Sequence, residues 1–485
     1  MSQASVDPAA LKRLAEAIAN EILGGGGVAA AAPASPAPAS AGPRGDGVYS
    51  TIDEAAKASR RAFLAYSDIP LSKRHAIIAA VREVCRREGD ALAKFAHEET
   101  GLGRYEDKIG KNALVTAKTP GPEILEPLAR SGDHGLMLTE PAPFGVIGAI
   151  TPVTNPTSTI INNSIAMISA GNSVLFNVHP SAKRVSMHTI QLLNRAIMAA
   201  GGPPDVLTCI AEPTIESAGE LMKHPLVRLL VVTGGGAVVK AAMASGKRAI
   251  CAGPGNPPAV VDATADIEQA ARNVALGHSY DNNVICVDEK ECIVVDSVAD
   301  ALKSAMQRHG AVLLDPRDLP RLENAIFKKM AGPRGHASID RDLVGKNASV
   351  ILERLGISAG PEARLVLVEV PNDHPLIWTE QMMPVLPITR TKTVNEAIDL
   401  AVEAEGGNFH TATMHSHDLD ALSRMARKCN CSIFVKNGRS IDGLAAAGEG
   451  WTSFTISSPT GEGLTTPLSF SRWRRCTLVD HFRIV

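Results

Sequence analysis

A cysteine closes the run Ser279-Tyr280-Asp281-Asn282-Asn283-Val284-Ile285-Cys286, just after a helical stretch that ends near Gly277. A thiolate adds to an aldehyde carbonyl, and the resulting thiohemiacetal can then lose hydride, so Cys286 is a candidate for carbonyl chemistry. The other seven cysteines, at 85, 209, 251, 292, 429, 431 and 476, read as small core residues. Cys429-x-Cys431 has no second pair at ligand spacing, so it reads as structural and no metal site is expected. Two other stretches could serve a bound ligand. Thr151-Pro152-Val153-Thr154-Asn155-Pro156-Thr157 follows an apolar strand and opens a helix, where amides and polar side chains can meet an anion or a carbonyl oxygen. Thr233-Gly234-Gly235-Gly236 follows the strand 228–232, and its glycines permit close backbone approach to a cofactor. Taken singly, each stretch is equally well an ordinary tight turn. The G-x-G-x-x-G dinucleotide fingerprint is missing.

The elements that must position these residues alternate. Helical spacing runs from about 51 to 117, as in Arg74, Ile77, Ile78, Val81 and Val84. Strand-like runs then recur at 144–150, 173–178, 206–210, 228–232, 259–261 and 292–295, separated by helical stretches. Such alternation predicts an α/β fold, a parallel sheet covered by helices on both faces. A second α/β set extends from about 251 to 437, with no internal repeat. The 485 residues, 45% apolar, suffice for two or three domains with ordinary cores. Forty-nine basic against 51 acidic residues leave a formal charge of -2, which provides no footprint for nucleic acid or an anionic membrane. No apolar run approaches the roughly 18 residues that a spanning helix needs. Eight scattered cysteines without a secretory leader fit free thiols in a reducing cytoplasm.

Residues 1–23 and 24–47 differ from the rest. Leu11, Leu14, Ala15, Ile18 and Ile22 recur at helical spacing behind a possible Asp7 cap and Pro8, which predicts a short amphipathic helix. The Gly/Ala/Pro/Ser tract that follows predicts a flexible linker. An apolar stripe without an adjacent core docks on a partner protein, frays as an inert tail, or lies on a membrane surface.

Taken together and in order, these motifs resemble the aldehyde dehydrogenase superfamily from about 48 to 475. The family's proline-flanked strand end looks like Pro152 to Pro156. Its turn under the cofactor resembles Thr233-Gly234-Gly235, and its Glu-x-x-Gly-Pro stretch resembles Glu380-Gln381-Met382-Met383-Pro384. The resemblance implies an aldehyde dehydrogenase-like fold. Its Rossmann-like cofactor domain would span 48–250 with an oligomerisation hairpin near 131–142, its catalytic domain 251–437, and a C-terminal return and oligomerisation segment 438–485. Hydrolytic members activate water with a glutamate. Here the matching run is Ala252-Gly253-Pro254-Gly255-Asn256, so Ala252 stands where that base would be. An acyl-enzyme lacking the base needs a better nucleophile, such as the thiol of coenzyme A.

The runs Thr154-Asn155-Pro156-Thr157, Asn177-Val178-His179-Pro180, Asn282 to Cys286 and His410-Thr411-Ala412 are similar to the CoA-acylating branch. By that resemblance Cys286 is the nucleophile, and Thr154 or Asn155 faces the oxyanion. NAD and CoA would meet Thr151, Pro152, Val153, Asn177, His179, Pro180, Thr233, Gly234, Gly235, Ala252, Gly253, Glu380, Met382 and His410. Asn177 aligns with a ribose-binding lysine of hydrolytic members, and Glu380 with the nicotinamide-ribose carboxylate. His410 is either a ligand contact or a packed loop histidine. The implied reaction converts propanal or acetaldehyde, with CoA and NAD, to acyl-CoA and NADH in a homodimer or homotetramer. The detachable N-terminal helix resembles the cargo address of propionaldehyde dehydrogenases in bacterial microcompartments. That makes a shell protein the partner and the microcompartment the location. The rivals are a hydrolytic aldehyde dehydrogenase and a non-catalytic organising protein.

Overall fold

The structure is a computed structural model that describes residues 46–360 and 362–484. The expected targeting helix (1–23) and nearly all of the expected linker (24–47) lie outside the described residues. Asp46 and Gly47 are already tied down: Asn194 Nδ2 donates to the Asp46 carbonyl at 2.7 Å, and the Cys209 amide donates to the Gly47 carbonyl at 2.8 Å.

The chain divides into two compact units. The first takes the described parts of Met1–Arg87, Pro120–Cys251 and Thr465–Val485. Its six-stranded sheet has the order Val48–Tyr49, Leu207–Ile210, Ser173–Asn177, Val146–Ile150, Val227–Thr233, Ala249–Ala252. Val146–Ile150 pairs in parallel with both neighbours, and all five of its residues are buried. That burial on both faces is why the strand reads as an uninterrupted apolar run. Helix Ile52–Ser67 packs on the sheet through Ile52, Ala55 and Ala56. It begins with a capping box in which the Thr51 side chain accepts from the Glu54 amide and Glu54 reaches back to the Thr51 amide. Helix Pro156–Ser169 starts directly after the Thr151–Asn155 loop, with Pro156 supplying a preset first-turn φ. A separate antiparallel sheet joins Leu128–Gly132, Gly135–Pro143 and Ser471–Val479.

The second unit takes Glu88–Thr119 and Ala252–Leu464. Its seven-stranded parallel sheet has the order Ala311–Leu313, Leu365–Glu369, Val385–Thr391, Glu291–Val295, Pro258–Val261, Thr411–His415, Ile433–Lys436. Apolar cores lie on both faces. One is built around Val260, Ile293 and Val366 and the other around Ala259, Val294 and Leu367, as the period-2 alternation of a strand requires. Cys286 sits between helix Ile267–His278 and the central strand Glu291–Val295, so a wholly buried strand fixes one end of its loop. Among the described residues no helix is long and apolar enough to cross a membrane.

The loop itself is unusual. Asp281, Asn282 and Asn283 have φ of 45°, 55° and 65°, three successive left-handed residues without a glycine. Asn and Asp tolerate this region better than other side chains, but a run of three needs anchoring. Asp281 is fully buried and pairs with Lys108 at 3.1 Å and with Lys111, both on helix Tyr105–Lys118. It also accepts the Arg104 amide at 2.6 Å. Gly103 has φ +69°, and a Cβ there would fall 2.0 Å from Asp281 Oδ1, so only glycine permits that approach. Burial and the neighbouring ammonium of Lys111 push Lys108 down to about 8.

Asp281→Asn keeps a side chain that accepts a left-handed backbone but removes the countercharge of two buried ammonium groups. It should cost about 3–5 kcal/mol, the usual scale for breaking a buried ion pair. Chemical denaturation of the two proteins checks this, and a loss under 1 kcal/mol would remove the anchor's importance.

Candidate active site

Cys286 is partly exposed, whereas Ile285 and Val287 on either side of it are buried. Beneath it lies Lys290, fully buried, whose ammonium donates to the Asn283 carbonyl at 2.9 Å, Asn283 Oδ1 at 2.7 Å and the Ile285 carbonyl at 3.0 Å. The three donors of one ammonium thus gather the turn that presents the thiol. Asn283 is held from its other end as well, its Nδ2 donating to the carbonyls of His278 at 2.8 Å and Glu289 at 3.0 Å. Asn282 Nδ2 donates to the Gly345 carbonyl at 2.9 Å and to Asn347 Oδ1 at 2.8 Å.

Glu380, His410 and Gly255 complete the surroundings. Glu380 is partly exposed and near enough to the thiol to act on its ionisation. The Gly255 amide donates to its carboxylate, and burial raises its own pKa. A Cβ at Gly255 would sit 2.9 Å from the Cys286 carbonyl oxygen and 3.0 Å from His410 Cγ, so the glycine lets the Cys286 backbone and the imidazole approach one point of the chain. His410 is fully buried. Its amide donates to Glu405 Oε1 at 2.8 Å, its Nδ1 lies 2.9 Å from Thr411 Oγ1, and its Nε2 has no partner. Burial, aided by Lys290, lowers it to about 4, which leaves a neutral ring with one open nitrogen at physiological pH.

The electrostatics of the thiol are a contest. Burial pushes Cys286 up to about 12, and the Glu380 charge adds to the rise. Lys290 opposes both. Burial also raises Asp288 and Glu291 well above the carboxylate range, and both Glu291 oxygens lack partners, so these neighbours favour their neutral forms.

The first unit brings together most of the other expected residues. Thr151 is buried at the end of Val146–Ile150, and its amide donates to the Asn177 carbonyl at 3.4 Å. Asn155 Nδ2 donates to Thr154 Oγ1 at 3.1 Å, so the two oxyanion candidates are coupled to each other. Asn177 is occupied internally, its Oδ1 accepting from Ser217 Oγ at 2.6 Å and its Nδ2 reaching the Thr214 carbonyl at 3.4 Å. His179 caps the turn that begins at Pro180, its Nδ1 accepting the Ser181 amide at 3.1 Å. Thr233 ends its strand, Gly235 caps helix Gly236–Met243, and a Cβ at Gly235 or Gly236 would meet nothing within 4 Å. That open space over a helix N-terminus fits a pyrophosphate. Ala252 closes the last strand of the six-stranded sheet, and its methyl group offers no base. A Cβ at Gly253 would stand 3.0 Å from Pro459 Cγ. Met382, with φ 53°, accepts the Gly345 amide at 3.0 Å through its carbonyl.

Sequence reasoning missed Lys290, Asp281, Lys108 and Lys111. One signal was available: Glu289-Lys290-Glu291 is a charged triplet at the head of the apolar run 292–295, a place where charge must be buried and partnered.

Parallel α/β sheets, a cysteine presented on a loop and glycine-lined turns at strand ends are the parts that a thiol-dependent dehydrogenase of nucleotide-binding type uses. The aldehyde dehydrogenase family model matches residues 33–453, and the chain belongs to that family. It is 49% identical over 440 residues to the acetylating acetaldehyde dehydrogenase EutE of Salmonella typhimurium, covering 90% of this chain and 94% of that one. Among solved structures it is similar to propionaldehyde dehydrogenase of Rhodopseudomonas palustris, determined with bound CoA and an acylated cysteine. That likeness has a TM-score of 0.87 and 46% identity, over 90% of this chain and 99% of that chain. It is also similar to a propionaldehyde dehydrogenase from the Clostridium phytofermentans fucose utilisation bacterial microcompartment. Here the TM-score is 0.87 and the identity 41%, over 90% and 100% of the two chains.

Because the Glu380 charge adds to burial in holding the thiol protonated, Glu380→Gln should speed iodoacetamide alkylation of Cys286 at pH 9. Peptide mapping against time measures it. An unchanged or slower rate would show that Glu380 does not act on the thiol.

Proposed function

We propose that the chain is a CoA-acylating, NAD-dependent aldehyde dehydrogenase that converts a small aldehyde, propanal or acetaldehyde, to its acyl-CoA. The observation that carries this reading is a partly exposed Cys286 on a lysine-braced loop, combined with an alanine at 252 where hydrolytic relatives keep a base. The similar proteins named acetylating or propionaldehyde dehydrogenases, one of them with CoA and an acylated cysteine, support it.

In this reading Cys286 adds to the aldehyde carbonyl. The Cys286 amide, with Asn155 or Thr154, would meet the oxyanion. When bound, NAD accepts the hydride. The first unit would hold it through Thr151, Pro152 and Val153, through His179 and Pro180, and through the Thr233-Gly234-Gly235 turn. The second unit would contribute Gly253, Glu380 and Met382. Asn177, held by Ser217 and Thr214, shapes the strand end rather than replacing a ribose-binding lysine. The acyl group is left as a thioester on Cys286. With Ala252 unable to activate water, the thiol of CoA would attack that thioester, and its proton would pass to a neighbouring base or to water. Acyl-CoA leaves and the Cys286 thiolate is regenerated. The antiparallel sheet with Ser471–Val479 leaves Trp473, Leu478 and Val479 exposed, and we assign it to the contact between subunits of a dimer or tetramer.

Residues 1–23 would then be a cargo address for a bacterial microcompartment shell protein, since their apolar stripe needs a surface to cover it. Deleting 1–45 should leave solution kinetics within about twofold of the full chain while abolishing co-sedimentation with purified shells. Equal shell recovery, or a truncated enzyme that has lost activity, would exclude this role.

The function itself is tested by following NADH at 340 nm with propanal and NAD, with and without CoA. Sustained turnover should require CoA. Ala252→Glu should raise the CoA-independent rate and release propanoate. Equal turnover by the unaltered protein without CoA would place it among the hydrolytic members instead.

A further inference from the structure

In the first unit, a hollow of about 590 Å³ is lined by Arg60, Arg74, Arg228, Arg472 and Arg474. Four separate elements deliver them: helix Ile52–Ser67, helix Leu71–Thr100, strand Val227–Thr233 and strand Ser471–Val479. A guanidinium keeps its charge at any physiological pH, and among the described residues none of the five forms an ion pair with a carboxylate. Five like charges around one hollow repel, and only an anion between them turns that repulsion into attraction.

Some of these groups are already fixed in place. Arg74 donates through Nη1 to the Ser169 carbonyl at 3.2 Å and lies 5.5 Å from the Tyr66 ring centroid, while its buried Nε has no partner. Arg472 Nε donates to the Pro143 carbonyl at 3.0 Å. The aromatic walls are taken by cations as well. Arg60 lies over Phe63 at 5.2 Å, and Arg248, just outside the hollow, lies over Phe144 at 5.4 Å. The five guanidinium groups dominate the lining, and their N–H donors suit phosphoryl oxygens.

The hollow is also separate from the nucleotide turns. Arg228 is the second residue of its strand and Phe144 precedes the strand Val146–Ile150, so both lie at the amino ends of the sheet. Thr151 and Thr233-Gly234-Gly235 lie at the carboxyl ends, where α/β sheets take their nucleotides. The volume falls in the range of small-molecule sites.

We propose that this hollow binds a small polyphosphate anion, one molecule carrying two or more phosphoryl groups, as a second anion site distinct from the coenzyme site. Five guanidiniums exceed what a single phosphate can engage, which selects for several phosphoryl groups close together. The site leaves the aldehyde chemistry itself untouched.

The test is isothermal titration of the full chain with inorganic pyrophosphate at low ionic strength, with NAD at saturation so that the coenzyme site is filled. One pyrophosphate should bind per chain, at least ~10-fold more tightly than orthophosphate. Arg60→Gln with Arg228→Gln, two side chains outside the strand assigned to the subunit contact, should weaken pyrophosphate ~10-fold or more. The same variant should leave aldehyde oxidation in pyrophosphate-free buffer unchanged. Absence of binding, or undiminished binding by the double variant, would overturn the proposal. So would a loss of binding that accompanies a changed subunit number in light scattering, because the hollow would then be a contact between copies of this chain.

Discussion

The site proposed for this chain depends on holding three non-glycine residues, Asp281, Asn282 and Asn283, in the left-handed region just ahead of Cys286. Each such residue costs on the order of 1 kcal/mol in an unconstrained chain. Here each side chain is anchored: Asp281 by two lysines from another helix, Asn282 by the 345–347 segment, and Asn283 by Lys290 and by the carbonyls flanking it. Charge-assisted hydrogen bonds to Asp281 and Asn283 contribute about 1.5–3 kcal/mol each and the neutral ones to Asn282 about 0.5–1.5 kcal/mol each, against that strain. The thiol's position is therefore set by buried charge rather than by apolar packing.

The same buried charges govern the thiol's reactivity, and they do not all act in one direction. Desolvation and Glu380 hold Cys286 protonated, and Lys290 alone among the named neighbours pulls toward the thiolate. Lys290 thus serves twice, through its three hydrogen bonds to the loop and through its charge. His410, neutral and with one nitrogen open, approaches Gly255 beside the Cys286 carbonyl, where one added Cβ would meet both. Fixed cation, neutral imidazole and partly exposed thiol form a site able to add to a carbonyl and then pass the acyl group to a second thiol.

Much of the scaffold was legible in the amino-acid sequence, because buried parallel strands leave apolar runs. The runs at 144–150, 173–178, 206–210 and 292–295 match strands Val146–Ile150, Ser173–Asn177, Leu207–Ile210 and Glu291–Val295. Strand Ala249–Ala252 was not distinguished, because Cys251 and two alanines carry little β preference. Cys286 stood out through its company. The braces did not, because Lys108 and Lys111 lie some 170 residues from Asp281 and charged residues in a helical stretch ordinarily face water. The internal engagement of Asn177 was likewise invisible, since Ser217 is 40 residues away.

The central claim, that acyl transfer passes through Cys286 and needs a second thiol, is tested most directly by intact-protein mass spectrometry. The protein is mixed with propanal and NAD in the absence of CoA, quenched, and then supplied with CoA. One propanoyl group should appear per chain, map to the peptide carrying Cys286, and disappear on CoA addition as propanoyl-CoA forms. An unmodified chain that releases propanoate without CoA, or an acyl group carried by a different cysteine, would contradict the account.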